Sequence, residues 1–115
     1  MSDFQLEVKE VGDVVVISTD GYLNNIGGEK VSEVCDQYMQ KGKNKFLIDL
    51  TKTSVVNSIG VSILIEIIEK LQEVDGKLAY CNLASIVAKT FNIMGLTKYS
   101  TIYETEEAGI ADLSS

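Results

Sequence analysis

From Phe4 to Lys9 the side chains alternate, with Phe4, Leu6 and Val8 on one side of an extended chain and Gln5, Glu7 and Lys9 on the other. This is the signature of a half-buried strand. Gly12-Asp13 predicts a turn, and Val14-Val15-Val16-Ile17 a second strand hairpin-paired with the first and ended by Asp20-Gly21. Gly21 to Gly28 (GYLNNIGG) reads as a loop rich in residues that accept unusual backbone angles. From Glu29 to Met39, Val31, Val34, Cys35, Tyr38 and Met39 recur at helical spacing, and Lys41-Gly42-Lys43 supplies the cations and glycine that close a helix. Phe46, Leu47, Ile48 and Leu50 predict a buried strand with Asp49 near its end. Polar Thr51-Lys52-Thr53-Ser54 and then Val55-Val56 lead to Asn57-Ser58-Ile59-Gly60, which opens a long apolar-rich helix. Asp75-Gly76 marks a turn and Lys77–Cys81 another strand. Asn82 to Ser85 offers a further helix start, followed by Ile86, Val87, Thr90, Phe91, Ile93 and Met94 at helical spacing, with Gly95 as terminator. Thr101-Ile102-Tyr103 is a last short strand, and Glu104 to Leu113 an acidic helix held by Ile110 and Leu113.

The predicted order is ββαβαβαβα: one α/β domain over residues 1–115, with a mixed, mostly parallel sheet of about five strands and about four helices. Proline, internal repeats and linker-like composition are all missing from the sequence.

The face of the long helix follows from a rotation of about 100° per residue. Val61, Leu64, Ile68 and Leu71 make one stripe with Ile65 and Ile67 on its flanks, and Ser62, Glu66, Glu69, Lys70 and Glu73 lie opposite. Ile59 and Ile63 break the pattern by falling among the polar residues, close to Ser58. Either another helix or loop covers them, or they form a small apolar docking patch beside a modifiable hydroxyl.

At 115 residues, 45% hydrophobic and 23% charged, the chain has the makeup of an ordinary globular domain with one core. The net charge of −7, without a basic cluster, argues against nucleic acid or an anionic membrane as partner. Cys35 and Cys81 have no metal or redox spacing and are expected as buried free thiols in a reducing compartment. The start carries no secretory signal pattern, and the longest apolar stretch, Val61 to Ile68, is too short to span a bilayer and contains Glu66. A cytoplasmic location is the expectation.

The sequence holds no histidine, which removes the commonest general base and metal ligand. With no carboxylate cluster at ligand-like spacing, neither a catalytic triad nor a metal site is expected. No cofactor is expected either. Gly27-Gly28 before a helix resembles an anion loop, but lacks the longer phosphate-binding fingerprint. Asn57 or Ser58 is suited to the N-cap, which sets the Ser58 hydroxyl at the positive end of the helix dipole, where a phosphate would be tolerated. Gly60 would let a partner approach closely.

The order of elements, together with Ile48-Asp49-Leu50 followed by Asn57-Ser58-Ile59-Gly60-Val61, resembles the STAS domain of bacterial anti-sigma factor antagonists. Gly21-Tyr22-Leu23-Asn24 is similar to that family's Gly-x-Leu-Asp, and Phe91-Asn92-Ile93-Met94-Gly95-Leu96 to its Gly-Leu helix ending. The likeness runs from Phe4 to Leu113. Asn24 and Asn57 stand where the family usually has Asp, which keeps shape and capping but gives up charge. Asp49 also invites comparison with the phosphoacceptor of two-component receiver domains. Those need an acidic pair after the first strand, which this chain lacks, so a buried or helix-capping role is expected for Asp49.

The STAS resemblance implies a non-enzymatic, partner-switching regulator of transcription. It would bind an anti-sigma factor serine kinase, be released when that kinase phosphorylates Ser58 with its own ATP and Mg²⁺, and be restored by a serine phosphatase. The partner-binding residues it implies are Asn24, Asn57, Ser58, Ile59, Gly60 and Ile63. One alternative is a STAS-like sensor binding a nucleotide or other anion at the Gly27-Gly28 loop and the Ser58 helix start. Another is a structural module forming a weak homodimer, with Ile59 and Ile63 buried between copies.

Overall fold

The computed structural model describes residues 4–115. Its elements are β1 (Gln5–Val11), β2 (Val14–Asp20), α1 (Asn25–Met39), β3 (Lys45–Lys52), α2 (Ser58–Gln72), β4 (Lys77–Cys81), α3 (Ser85–Ile93), a short 3₁₀ turn (Leu96–Lys98), β5 (Thr101–Tyr103) and α4 (Glu106–Ser114). The order is the ββαβαβαβα read from the sequence. The sheet runs β1-β2-β3-β4-β5, with β1 antiparallel to β2 and every other pair parallel. Gly12, at φ +60, turns the hairpin.

Strand order rising steadily along the chain has a consequence for the helices. Crossovers between parallel strands share one hand, so successive connections in one direction put their helices on the same face. The large core cluster joins Val15, Ile17, Phe46, Ile48, Leu78 and Tyr80 of that face to Val31 and Cys35 of α1, Val61, Leu64 and Ile68 of α2, and Val87 and Phe91 of α3. The opposite residues of the same strands, Val14, Val16, Leu47, Ala79 and Cys81, would be bare without α4, which covers them with Leu113 and a partly buried Ile110. Gly109 lets α4 sit close, since a Cβ there would lie 2.8 Å from Leu47.

Two expectations change. The supposed loop Gly21–Gly28 is a loop only as far as Asn24. Asn24 caps α1 by accepting from the Gly27 N–H at 3.0 Å, so Asn25 to Gly28 form its first turn. Gly27 and Gly28 are there for packing: a Cβ on Gly27 would meet the Phe4 ring at 2.8 Å, and one on Gly28 would meet Ile63 Cδ1 at 2.9 Å. α3 starts at Ser85, inside the Asn82 to Ser85 stretch expected to open it, with Ala84 at the cap position, while Asn82 (φ +58) sends its amide to Asp49. Asp49 is half-buried and caps no helix. Its Oδ1 accepts from the Thr51 N–H, the Thr51 hydroxyl and the Asn82 amide, tying the end of β3 to the end of β4. Burial opposes its charge, but these hydrogen bonds hold its carboxyl below the usual aspartate range.

Candidate functional site

Two helices begin side by side at one corner of the molecule. The chain leaving β2 and the chain leaving β3 pair briefly in parallel, Leu23 with Val56, through Leu23 N–H to Val55 O (3.0 Å) and Asn57 N–H to Leu23 O (3.2 Å). Each strand-like pair leads at once into an asparagine cap. Asn57 accepts from the Gly60 N–H at 2.8 Å, as Asn24 does from that of Gly27. The positive ends of two helix dipoles therefore open together.

Helix proximity here depends on glycine. A Cβ on Gly60 would lie 2.3 Å from Leu23 O, and one on Gly28 only 3.4 Å from the Gly60 Cα. Gly60 is buried, and the close approach that it permits in this structure is to the chain's own Leu23-Asn24 segment.

With Asn57 as the cap, Ser58 is the first residue of α2 and is exposed. The fold does not use its hydroxyl as a cap; the hydrogen bond at this turn that involves Ser58 is made by its carbonyl, which accepts from the Ser62 hydroxyl at 2.8 Å. The two isoleucines outside the helix stripe have different fates. Ile59 is 54% exposed, whereas Ile63 is half-buried in the seam with α1, under Gly28.

Sequence reasoning missed the apolar company of Ile59. Tyr22, Ile26 and Val55 are also exposed large hydrophobics on the segments that enter the two helices. Val55 shares a surface groove of about 190 Å³ with Ile86 and Thr90 of α3. The available signal was negative: Tyr22 and Val55 belong to no helical or strand periodicity, so nothing inside the fold required them to be apolar. Asn24, Asn57, Ser58, Ile59, Gly60 and Ile63 are thus brought into one corner, with Gly60 inside it and Ile63 at its edge.

Two further groups stand apart. Cys35 and Cys81 are buried free thiols, each pushed up to about 12, Cys35 by burial and the neighbouring Asp36 charge, Cys81 by burial and the charges of Asp49, Glu106 and Glu107. On the α4 side, a polar groove of about 300 Å³ runs along Gln5, Glu7, Ser18, Asp20, Asp49 and Thr51, where α4 does not reach. Among the described residues no helix is long and apolar enough to cross a membrane, and no cluster of three His, Cys, Asp or Glu could hold a metal ion.

A hairpin, three crossovers with their helices on one face, and a terminal helix closing the other define a particular class of α/β domain. A family model described as the STAS domain matches residues 5–109, and the chain belongs to that family. BtrV of Bordetella bronchiseptica, named as an anti-sigma factor antagonist, is 22% identical over 107 residues, covering 93% of this chain and 92% of BtrV. The crystal structure of TM1081 from Thermotoga maritima, which carries the same name of anti-sigma factor antagonist, superposes with a TM-score of 0.87 at 21% identity, covering 96% of this chain and 95% of that one. The phosphorylated form of SpoIIAA, a Bacillus cell fate determinant, gives 0.71 at 24% identity, with 96% and 98% covered. At these identities the two structures speak for the fold.

Proposed function

We propose that this chain is an anti-sigma factor antagonist: a binding switch, not a catalyst, that docks an anti-sigma factor serine kinase on the Ser58 corner and is released when Ser58 is phosphorylated. The observation that carries the reading is the separation of two jobs at the start of α2. Asn57 caps the helix, leaving the exposed Ser58 hydroxyl outside the network of the fold, with apolar Ile59 exposed beside it.

Phosphorylation adds about −1.5 to −2 charges. At a helix start those charges meet free N–H groups and a favourable dipole, so the domain itself tolerates them. Pressed against a partner, the same dianion must be desolvated. A roughly ten-thousand-fold loss of affinity corresponds to about 5.5 kcal/mol, within reach of an unpaired buried dianion. Because Asn24 and Asn57 are uncharged, the corner carries little negative charge before modification, and the change on phosphorylation is correspondingly large. The names of BtrV and TM1081 and the phosphorylated form of SpoIIAA support this reading. A serine phosphatase would return the protein to its binding form.

The anion-sensor alternative loses its loop, since Gly27 and Gly28 lie buried in the first turn of α1. The test is incubation with the purified anti-sigma factor serine kinase of the same organism and ATP, followed by intact mass and peptide mapping. One phosphate on Ser58, absent from Ser58→Ala, is the expected result. Ser58→Asp should keep the circular dichroism spectrum and lose kinase binding. No phosphate on the wild type removes the covalent switch, and no kinase binding removes the docking role as well.

A further inference from the structure

Independently of the Ser58 reading, we propose that the outer edge of β1 pairs antiparallel with the same edge of a second copy of this chain, joining two five-stranded sheets across a two-fold axis at Val8. β1 and β5 are the edges of the sheet, and β5 is only three residues long. β1 has seven residues, in unbroken register with β2 from Gln5↔Asp20 to Val11↔Val14. Such an edge is a template for another strand. Val11 and Val14 close a two-residue turn at Gly12-Asp13, which makes them a hydrogen-bonded pair. Alternation down the strand then turns the N–H and C=O groups of Leu6, Val8 and Glu10 away from β2. The Phe4 C=O, on the same side, accepts from Lys30 Nζ at 2.9 Å. The outward groups of Leu6, Val8 and Glu10 have no such side-chain or loop partner among the described residues.

The side chains decide which strand fits. Edge strands are commonly guarded by charges that repel other strands. Here the guards are Glu7 and Lys9, both exposed and both on the α4 side, where Lys9 also reaches Glu106. A two-fold axis at Val8 sets Glu7 opposite Lys9 of the second copy, and Lys9 opposite its Glu7. These are two opposite-charge pairs at directly facing positions. On the other face Val8 meets Val8 of the second copy, and half-buried Leu6 lies against the stem of its Glu10. Because the axis falls on an outward-turned residue, the free groups of Leu6, Val8 and Glu10 bond to those of the second copy. Moving the axis by one residue sets Glu7 against Glu7 or Lys9 against Lys9, and moving it further shortens the ladder. The strand therefore complements itself in one register. Each copy carries a net charge of −7, and a contact of this kind falls below the roughly 1,200 Å² of a stable complex, so the dimer is weak.

The experiment is sedimentation equilibrium of the full chain from about 10 µM to 1 mM, the range that so small an interface calls for. Wild type should pass from monomer to dimer within it. Glu7 and Lys9 are exposed, so Glu7→Lys and Lys9→Glu should fold, as checked by circular dichroism and thermal unfolding. Each alone faces like charges and should weaken the dimer about tenfold or more. An equimolar mixture of the two should recover association to within about threefold of wild type, because every facing position then joins opposite charges again. Val8→Pro, which removes the N–H on the axis, should abolish the dimer. If that variant does not fold, the charge exchange decides alone. A wild type that stays monomeric to the top of the range overturns the proposal, as do single variants that dimerise like wild type or a mixture that stays monomeric. So does a dimer that Ile59→Glu dissolves and Val8→Pro does not, which places the contact at the Ser58 corner.

Discussion

Neighbouring side chains at the start of α2 differ in what they contribute to stability. Asn57 satisfies the Gly60 N–H, and replacing such a cap by alanine costs about 1 kcal/mol. Ser58 is exposed and caps nothing, so Ser58→Ala should change stability by no more than about 0.5 kcal/mol. Urea unfolding of the two variants checks the contrast, and equal losses would mean that Ser58 shares the capping. Asp49 gives a different signature, one that depends on pH. Its carboxyl is held below the ordinary range in the folded state, so its stabilisation is complete above the unfolded value of about 4 and is lost as pH falls through the folded value. Asp49→Asn keeps an acceptor oxygen but has no charge to lose. The gap in melting temperature between wild type and this variant should be constant from pH 6 to about 4 and shrink below that. A gap that stays constant down to pH 2 would show that the charge contributes nothing.

Strands were easier to read from the sequence than helix starts, and α1 shows why. β2, β3 and β4 are short apolar runs bounded by turn residues, and the sheet leaves few other ways to bury them. The first turn of α1 holds two glycines, which are poor helix formers and are usually loop residues. Gly27 and Gly28 are helical because contacts distant in sequence require it: Phe4 lies against one and Ile63 of α2 against the other. Local propensity carries no record of such contacts. The same limit applied at the functional corner. Asn57 and Ser58 are legible from their capping chemistry and the deviant Ile59 from helical phase, whereas Tyr22, Ile26 and Val55 join them only after Leu23 pairs with Val56. The neighbour that requires glycine at position 60, Leu23 O, is visible only in the fold. That contact makes a sharp prediction. A methyl group 2.3 Å from a carbonyl oxygen of the backbone cannot be relieved by rotating a side chain, so Gly60→Ala should destabilise by about 2–3 kcal/mol. Unfolding in urea measures it, and a loss below about 0.5 kcal/mol would mean that the α2 start and the Leu23 segment separate easily.

The sheet divides the molecule into two sides with different duties. α1, α2 and α3 build the large core on one face, and the starts of α1 and α2 present the Ser58 corner at the end of β2 and β3. α4 closes the other face with a smaller cluster in which Leu113 meets Val14, Val16, Leu47, Ala79 and Cys81. Removing that side chain leaves a void under the last turn of α4, and a buried leucine lost in this way costs about 2–3 kcal/mol. Neither α1 nor α2, whose starts form the Ser58 corner, contributes a residue to this cluster, so Leu113→Ala should lower the melting temperature while leaving the proposed phosphorylation of Ser58 and the proposed affinity for an anti-sigma factor serine kinase within about twofold, an energy of only about 0.4 kcal/mol. Both are to be measured well below the lowered melting point, so that the folded population is the same for the two proteins. If kinase affinity falls in step with stability under those conditions, the two faces communicate through the sheet, and α4 is part of the proposed switch and not only its support.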